Sequence, residues 1–229
     1  MIPSISESFL KSKNAQQLEE YFRGLVDEGQ DLEAKSSEWP TVQRNGAVTT
    51  RRKPKEDSDG GHRFVQRSSK HTDVTYDQLR RYLFVDHSFN EVKYVELMME
   101  AKRLFALDYP HGEAGVYRLG YKATVASSRE FVELVLTHED RDKDGKRYFM
   151  VVSKPVEPQD LPARPSFVRG SYESWEIVRE KDDGTVEWVC IQHSSSGGWV
   201  PKVMSDWVVI KEFHKDVEAL IKYVKSQQK

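Results

Sequence analysis

The sequence predicts an α+β fold in which helices flank an antiparallel sheet. Between residues 113 and 194, five consecutive segments alternate apolar and polar positions and are rich in Val, Tyr, Phe and Trp. The connections between these segments are short, so neighbouring strands pair in antiparallel fashion without crossover helices. Apolar residues recur at helical spacing both before and after this block.

The elements that precede the block are two helices and a weak hairpin. A helix is expected over about residues 4–35, where Ser4 or Ser6 can cap the first turn. A hairpin follows, with Asn45 and Gly46 in its tight turn. A further helix begins after Thr75, which can cap it, and is expected to break near Ser88.

The chain is expected to end in a long amphipathic helix. Ser205 or Asp206 can cap its start, and lysines cluster in its last turns, as the helix dipole favours. Its apolar face, at steps of three and four residues, is predicted to lie over the sheet. The residues expected to face the sheet as a lid are Phe213, Val217, Leu220 and Ile221.

The joint before this helix combines flexible residues with a large aromatic one. Gly197 and Gly198 let the chain leave the last strand at unusual backbone angles, and Pro201 stiffens the exit. Trp199 is interpreted as an apolar pin that seats the joint against the sheet, with direct ligand contact as the alternative. The segment is therefore predicted to be a hinge.

Composition narrows the class of protein. With 229 residues, one domain over residues 1–229 with a core from about residue 40 is expected. A net charge of −2 gives no bulk attraction to nucleic acid, so no nucleic-acid partner is predicted. A single cysteine, no signal-peptide core and no bilayer-length apolar run together predict a cytoplasmic protein.

One acidic segment imitates a metal site. The run DRDKDG at residues 140–145 resembles the start of a calcium loop, whose twelfth position needs a bidentate glutamate. That position is Val151, inside a predicted strand. The segment is therefore interpreted as a charged hairpin turn, and no metal or other cofactor is predicted.

Three other positions leave alternatives open. His87 and Glu91 share a helix face and could be a structural pair, metal ligands or an acid–base couple. Arg118 lies in mid-strand, so it faces either solvent or a buried carboxylate. Cys190 sits between apolar strand residues and favours a buried thiol over a nucleophile.

Four segments of the second half occur in the order typical of START domains, the steroidogenic-acute-regulatory-related lipid-transfer family. They read SSREFVELVLT, YFMVVSKPVE, FVRGSYESWEIV and SSSGGWVPK, and the last of them is the most specific. The resemblance covers about residues 75–225. Where that family usually has a Trp-Asp pair, this chain has Asn90 and Glu91. That departure, with RSSKH upstream, resembles a fungal START-like branch.

The resemblance implies a helix-grip fold, START/Bet v 1-like, in which a curved antiparallel sheet wraps a long C-terminal helix. An apolar tunnel between sheet and helix would hold one lipid, and a polar cluster at its far end would grip the head group. Glu91 and Arg118 would form a buried pair there. Carried over to this sequence, the cluster comprises His87, Glu91, Arg118, Ser153 and Cys190.

The function that this resemblance implies is intracellular binding or transfer of a phospholipid, sphingolipid or sterol. The protein would act as a monomer, touch membranes transiently and need no cofactor or covalent catalysis. Two alternatives stay open: a helix-grip enzyme, cyclase- or hydrolase-like, that uses His87, Glu91 and Arg118, and an interaction domain whose cavity is filled. Periodicity does not separate a filled core from a cavity.

Overall fold

The computed structural model describes residues 2–55, 64–122, 127–195 and 210–227. The helices are α1 (Glu7–Ser12), α2 (Ala15–Ser36), α3 (Tyr76–Leu83), α4 (His87–Tyr94) and α5 (Lys215–Ser226). The strands are β1 (Ile5–Ser6), β2 (Thr41–Asn45), β3 (Val48–Arg52), β4 (Val65–His71), β5 (Met98–Leu107), β6 (Ala114–Tyr121), β7 (Ser128–Arg141), β8 (Arg147–Glu157), β9 (Phe167–Arg169), β10 (Ser171–Glu180) and β11 (Val186–Ser195).

The strands form one large sheet in the order β2-β3-β4-β11-β10-β8-β7-β6-β5. All neighbours along this path pair in antiparallel fashion, as the short connections predicted. The short strands β1 and β9 pair in parallel with β8 and β7. The fold class is therefore α+β, with helices on both faces of a mainly antiparallel sheet.

The acidic segment at residues 140–145 forms a hairpin turn between β7 and β8, as predicted. Asp142 Oδ1 accepts hydrogen bonds from the backbone N–H groups of Asp144 and Lys146 at 3.0 and 2.9 Å. Gly145 has φ +77°, a left-handed conformation that glycine adopts without strain. The carboxylate thus satisfies backbone donors of the turn, and calcium coordination is not needed to explain it.

The N-terminal helix is two helices instead of the single one expected over residues 4–35. Ser6 Oγ caps α1 by accepting from the Phe9 N–H at 3.1 Å. Asn14 then caps α2, and its side chain and that of Gln17 each bond the other's backbone N–H. This second cap restarts the chain in a new direction and lays α2 along one face of the sheet.

Trp175 fastens α2 to that face. Its side chain is fully buried, and its Nε1 donates to the Leu25 carbonyl at 2.9 Å. Apolar residues of α1, α2 and the outward positions of the strands complete this core. They include Leu10, Phe22, Val26, Leu134, Leu136, Met150, Val152 and Ile177.

The opposite face of the sheet carries α3, α4 and α5. Thr75 caps α3 through a capping box with Gln78, as the sequence predicted. The break between α3 and α4 comes earlier than the expected Ser88, because Asp86 adopts a left-handed conformation with φ +48°. The bend turns α4 across the sheet, so that one side of it faces the space beneath.

Candidate functional site

A cavity of about 700 Å³ lies between this second face of the sheet and the helices α4 and α5. Its wall is predominantly apolar, with groups of polar side chains set into it. Every second residue of a strand points to the same face, so each strand contributes alternate positions. The apolar lining consists of Leu83, Val95, Leu97, Leu119, Phe131, Val135, Val151, Phe213 and Ala219, with aromatic rings from Tyr94, Tyr121, Tyr172 and Trp188.

Arg67 of β4 is the cation set most deeply in the cavity wall, with only 2% of its surface exposed. Its Nη2 donates to Glu176 Oε1 at 2.8 Å, and the same oxygen accepts from Trp188 Nε1 at 2.9 Å. The guanidinium lies over the rings of Trp188 and Phe213, at 4.3 and 5.1 Å from the ring centres. Its Nε and Nη1 have no hydrogen-bond partner among the described residues.

His87 and Glu91 face each other from successive turns of α4, as their four-residue spacing predicted. His87 Nδ1 lies 2.6 Å from the Leu83 carbonyl oxygen, which only accepts, so Nδ1 carries a proton and donates it. His87 Nε2 is 3.5 Å from Glu91 Oε2. Burial raises the pKa of Glu91 to about 7, while the nearby His87 acts in the opposite direction.

Two more carboxyl groups line the cavity. Glu133 of β7 is 3% exposed and has no hydrogen bond or ion pair among the described residues. Burial, and then the neighbouring Glu91, raise the pKa of Glu133 well above its usual range. Desolvation also raises the pKa of Asp216 on α5 to about 6, against the lowering effect of Arg67, although the residue as a whole is exposed.

Ser153 and Cys190 also line the cavity, where the resemblance had placed them. Both are buried, on the inward faces of β8 and β11. Burial raises the pKa of the Cys190 thiol, with the Arg67 charge opposing it, so the thiol stays protonated and is a poor nucleophile. Four of the five predicted head-group residues therefore meet in one cavity.

Arg118 is the exception, and its predicted contact with Glu91 is wrong. Its strand neighbours Leu119 and Tyr121 line the cavity on alternate positions, which turns Arg118 to the other face of β6. Arg67 supplies the buried cation instead. Sequence reasoning missed it, although Arg67 shares a strand face with Val65 and Ser69.

The predicted lid residues divide into two groups. Phe213 lines the cavity, together with Asp216 and Ala219. Val217 and Leu220 are buried in a solid core with residues of α3 and the sheet, and Ile221 packs against that core. The last three residues therefore face the sheet as expected and pack in the core beside the cavity, which is the alternative that periodicity left open.

The predicted hinge residues Gly197, Gly198, Trp199 and Pro201, and the predicted caps Ser205 and Asp206, lie outside the described residues. Within the described ranges, no group of three or more metal-binding side chains comes together. No helix in the described part of the chain is long and apolar enough to cross a bilayer.

Comparison with solved structures identifies the fold. Human StAR-related lipid transfer protein 5 superposes with a TM-score of 0.76 at 18% identity, covering 94% of this chain and 98% of that protein. Human STARD10 gives 0.69 at 14% identity, covering 88% and 82%. A STAR-related lipid transfer protein fragment from Xanthomonas axonopodis gives 0.63 at 17%, covering 82% and 98%. The chain has the START helix-grip fold, which confirms the resemblance drawn from its sequence.

The particular family follows from the sequence. The family model described as "Protein of unknown function (DUF3074)" matches residues 64–224, which is most of the chain. The chain therefore belongs to this family, and the matched region runs from β4 through most of α5. No curated protein matches the sequence.

Proposed function

We propose that the protein binds one lipid or sterol in the cavity beneath its last helix and carries it between membranes. The observation that carries this proposal is the cavity of about 700 Å³, walled mainly by apolar side chains. Burying apolar ligand surface there contributes roughly 25 cal/mol per Å², and a few convergent polar groups fix the orientation. START-fold proteins of similar structure bear the name lipid transfer protein, which supports the proposal.

The polar end of the lipid would lie among the side chains that α4 and the inward strand positions bring together. His87, Glu91, Ser153 and Cys190 remain the proposed head-group contacts, and Arg67 and Glu176 join them. Burial raises the pKa of Tyr94, Tyr121 and Tyr172 far above the usual range. These hydroxyls stay neutral at physiological pH and can donate or accept hydrogen bonds.

Exchange of lipid needs an opening. We propose that Phe213, at the cavity edge of the C-terminal segment, belongs to the moving part, and that Gly197, Gly198, Trp199 and Pro201 form its hinge. We further propose a cytoplasmic monomer that touches membranes only during exchange. Leu97 and Met99, which are 46% and 53% exposed, could contact lipid beside the cavity.

The decisive experiment is incubation of the purified protein with liposomes of mixed lipid composition, followed by native mass spectrometry. Bound lipid should appear as a defined mass added to the protein. Ala219→Phe, which projects a ring into the cavity, should abolish that addition, whereas Ala34→Phe on the exposed side of α2 should not. Only apo protein, with no lipid class extracted, would contradict the proposal.

A second candidate function, an enzyme acting in the same cavity, rests on the His87–Glu91 contact. The two side chains lie 3.5 Å apart and can share a proton, as an acid–base couple does. If the protein is an enzyme, a bound ligand would change mass over time, and His87→Asn would stop that change while binding persists. Recovery of the ligand with its mass unchanged would favour the carrier function.

A further inference from the structure

The deep part of the cavity holds more carboxyl groups than cations. Glu91, Glu133 and Glu176 line it, and Arg67 is the only arginine or lysine among the deeply buried residues of the described wall. Arg67 is already engaged by Glu176 at 2.8 Å, which makes that pair electrically neutral. Glu91 has His87 as its partner. The carboxyl group of Glu133 therefore remains without a cation in hydrogen-bond contact.

Glu133 is the stronger sign of a missing partner. It is 97% buried, it faces the cavity from the inward side of β7, and nothing in the described structure donates to it. Buried polar groups in folded proteins are nearly always hydrogen-bonded, because an unsatisfied one costs free energy. A donor supplied by the ligand would satisfy this carboxyl group.

Arg67 gives an independent indication that the polar end of a ligand lies here. Its Nε and Nη1 are buried and lack acceptors, although its Nη2 is paired. These two N–H groups can donate hydrogen bonds to a neutral oxygen of the ligand, such as that of a hydroxyl group. The site thus offers acceptors for a cation and donors for a neighbouring oxygen.

Resting on the proposed lipid-binding function, we propose that the ligand is a single-chain lipid whose polar end carries an ammonium group. An ammonium group would pair with the Glu133 carboxyl group, stabilise its ionised form and could rest against the faces of Tyr94 and Tyr121. A phosphate or carboxylate at the same place would bring no cation to Glu133 and would not stabilise its ionised form, which selects against anionic lipids.

The cavity volume supports a single chain. At ~30 Å³ for each water-sized group, 700 Å³ holds about 23 non-hydrogen atoms. An eighteen-carbon amine has about 19 such atoms, whereas a phosphatidylcholine with two eighteen-carbon chains has about 54, more than twice what the cavity holds. The ligand class that fits both the volume and the charge is a long-chain amine.

Three probes with one chain and different ends test this inference. Octadecylamine, octadecan-1-ol and octadecyl phosphate are each placed at equal mole fraction in phosphatidylcholine vesicles, and protein-bound probe is quantified by mass spectrometry. The amine should bind about tenfold better than the other two. Glu133→Gln should lower amine binding by about the same factor and leave alcohol binding within about twofold.

A control variant makes the test specific. Glu187→Gln removes a carboxylate on β11 that is paired with Lys181 outside the cavity, and it should not change binding. If the alcohol or the phosphate binds as well as the amine, or if Glu133→Gln weakens all probes equally, the ammonium inference is overturned and lipid binding stands. If neither the probes nor phosphatidylcholine binds, the proposed function is overturned as well.

Discussion

Arg67 Nη2 donates to Glu176 Oε1 across 2.8 Å, and this bond joins β4 to β10 over the intervening strand β11. The Trp188 ring of β11 lies beneath the guanidinium and donates to the same carboxylate oxygen. Three adjacent strands are therefore tied together at the wall of the cavity. A charge buried in this way is stabilised only while its partner is present.

Replacing Arg67 by leucine should lower the free energy of unfolding by about 3–5 kcal/mol, because Glu176 is left buried without its cation. Arg118→Leu is the matched control, since Arg118 lies on the other face of β6. Arg118→Leu should lower the free energy of unfolding by no more than about 1 kcal/mol, and this variant should bind the same ligands as the wild type. Equal destabilisation in urea titrations of the two variants would contradict the assignment of Arg67 as the buried cation.

Glu91 should make stability depend on pH. Its pKa is about 7 in the folded protein, against an ordinary value of 4.5, so the native state holds the proton more tightly than the unfolded chain. The free energy of unfolding should fall as pH rises from about 4.5 to 7 and then level off. Glu91→Gln should reduce this slope, part of which remains because the pKa of Glu133 is also raised, and be more stable at pH 8 by roughly 1–3 kcal/mol.

Urea titrations at pH 5 and pH 8 would measure this difference. Glu157→Gln serves as control, because it removes an exposed carboxyl group at the end of β8. A wild-type slope that persists in full in Glu91→Gln would show that another group is responsible.

Two glycines of α2 should respond oppositely to the same substitution. A Cβ at Gly29 would lie 2.4 Å from Trp175 Cδ1 and 2.7 Å from Met150 Sδ, so Gly29→Ala should destabilise by about 1–3 kcal/mol. Nothing lies within 4 Å of a Cβ at Gly24, so Gly24→Ala should stabilise by about 0.5–1 kcal/mol through helix propensity. Thermal unfolding of both variants is the measurement, and a stabilised Gly29→Ala would refute the close packing of α2 on the sheet.

Cys190 should react slowly with thiol reagents in the folded protein. It is buried, and burial raises the pKa of its thiol, so little thiolate is present at neutral pH. Labelling with a chromogenic disulfide should be more than about tenfold slower than in denaturant. Fast labelling of the native protein would mean that the cavity wall opens readily at β11.

The alternating segments of the second half predicted their strands well. A strand whose two faces have different surroundings alternates in polarity with a period of two, and this period is visible in the sequence. Strand β5 was missed. Its sequence MMEAKRLFAL does not alternate regularly, and in the structure two register shifts interrupt its pairing with β6. The bend at Asp86 lies two residues before the expected position near Ser88, since a left-handed residue other than glycine leaves little trace in sequence.

The candidate site was predicted in part. The four-residue spacing of His87 and Glu91 predicts that they share one face of a helix. Every second residue of a strand shares a face, which relates Ser153 and Cys190 to their strand neighbours. The alternation of side chains along a strand does not say which of its two faces is inward, so Arg118 was assigned to the wrong face of β6. Arg67 lies opposite Cys190 across the β4–β11 pair, and that partnership between distant segments is visible only in the folded chain.

Within the described residues β5 is an edge strand of the sheet, which bears on how copies of this protein behave in concentrated solution. Unpaired strand edges recruit other chains and seed aggregates. Along β5, Lys102 and Arg103 are exposed, and the shifts in register next to Met98 and Arg103 deform the ladder. Charge and irregularity at this rim leave no straight template for a second strand. The irregular sequence that makes β5 hard to predict therefore also disfavours edge-to-edge pairing between copies of the molecule.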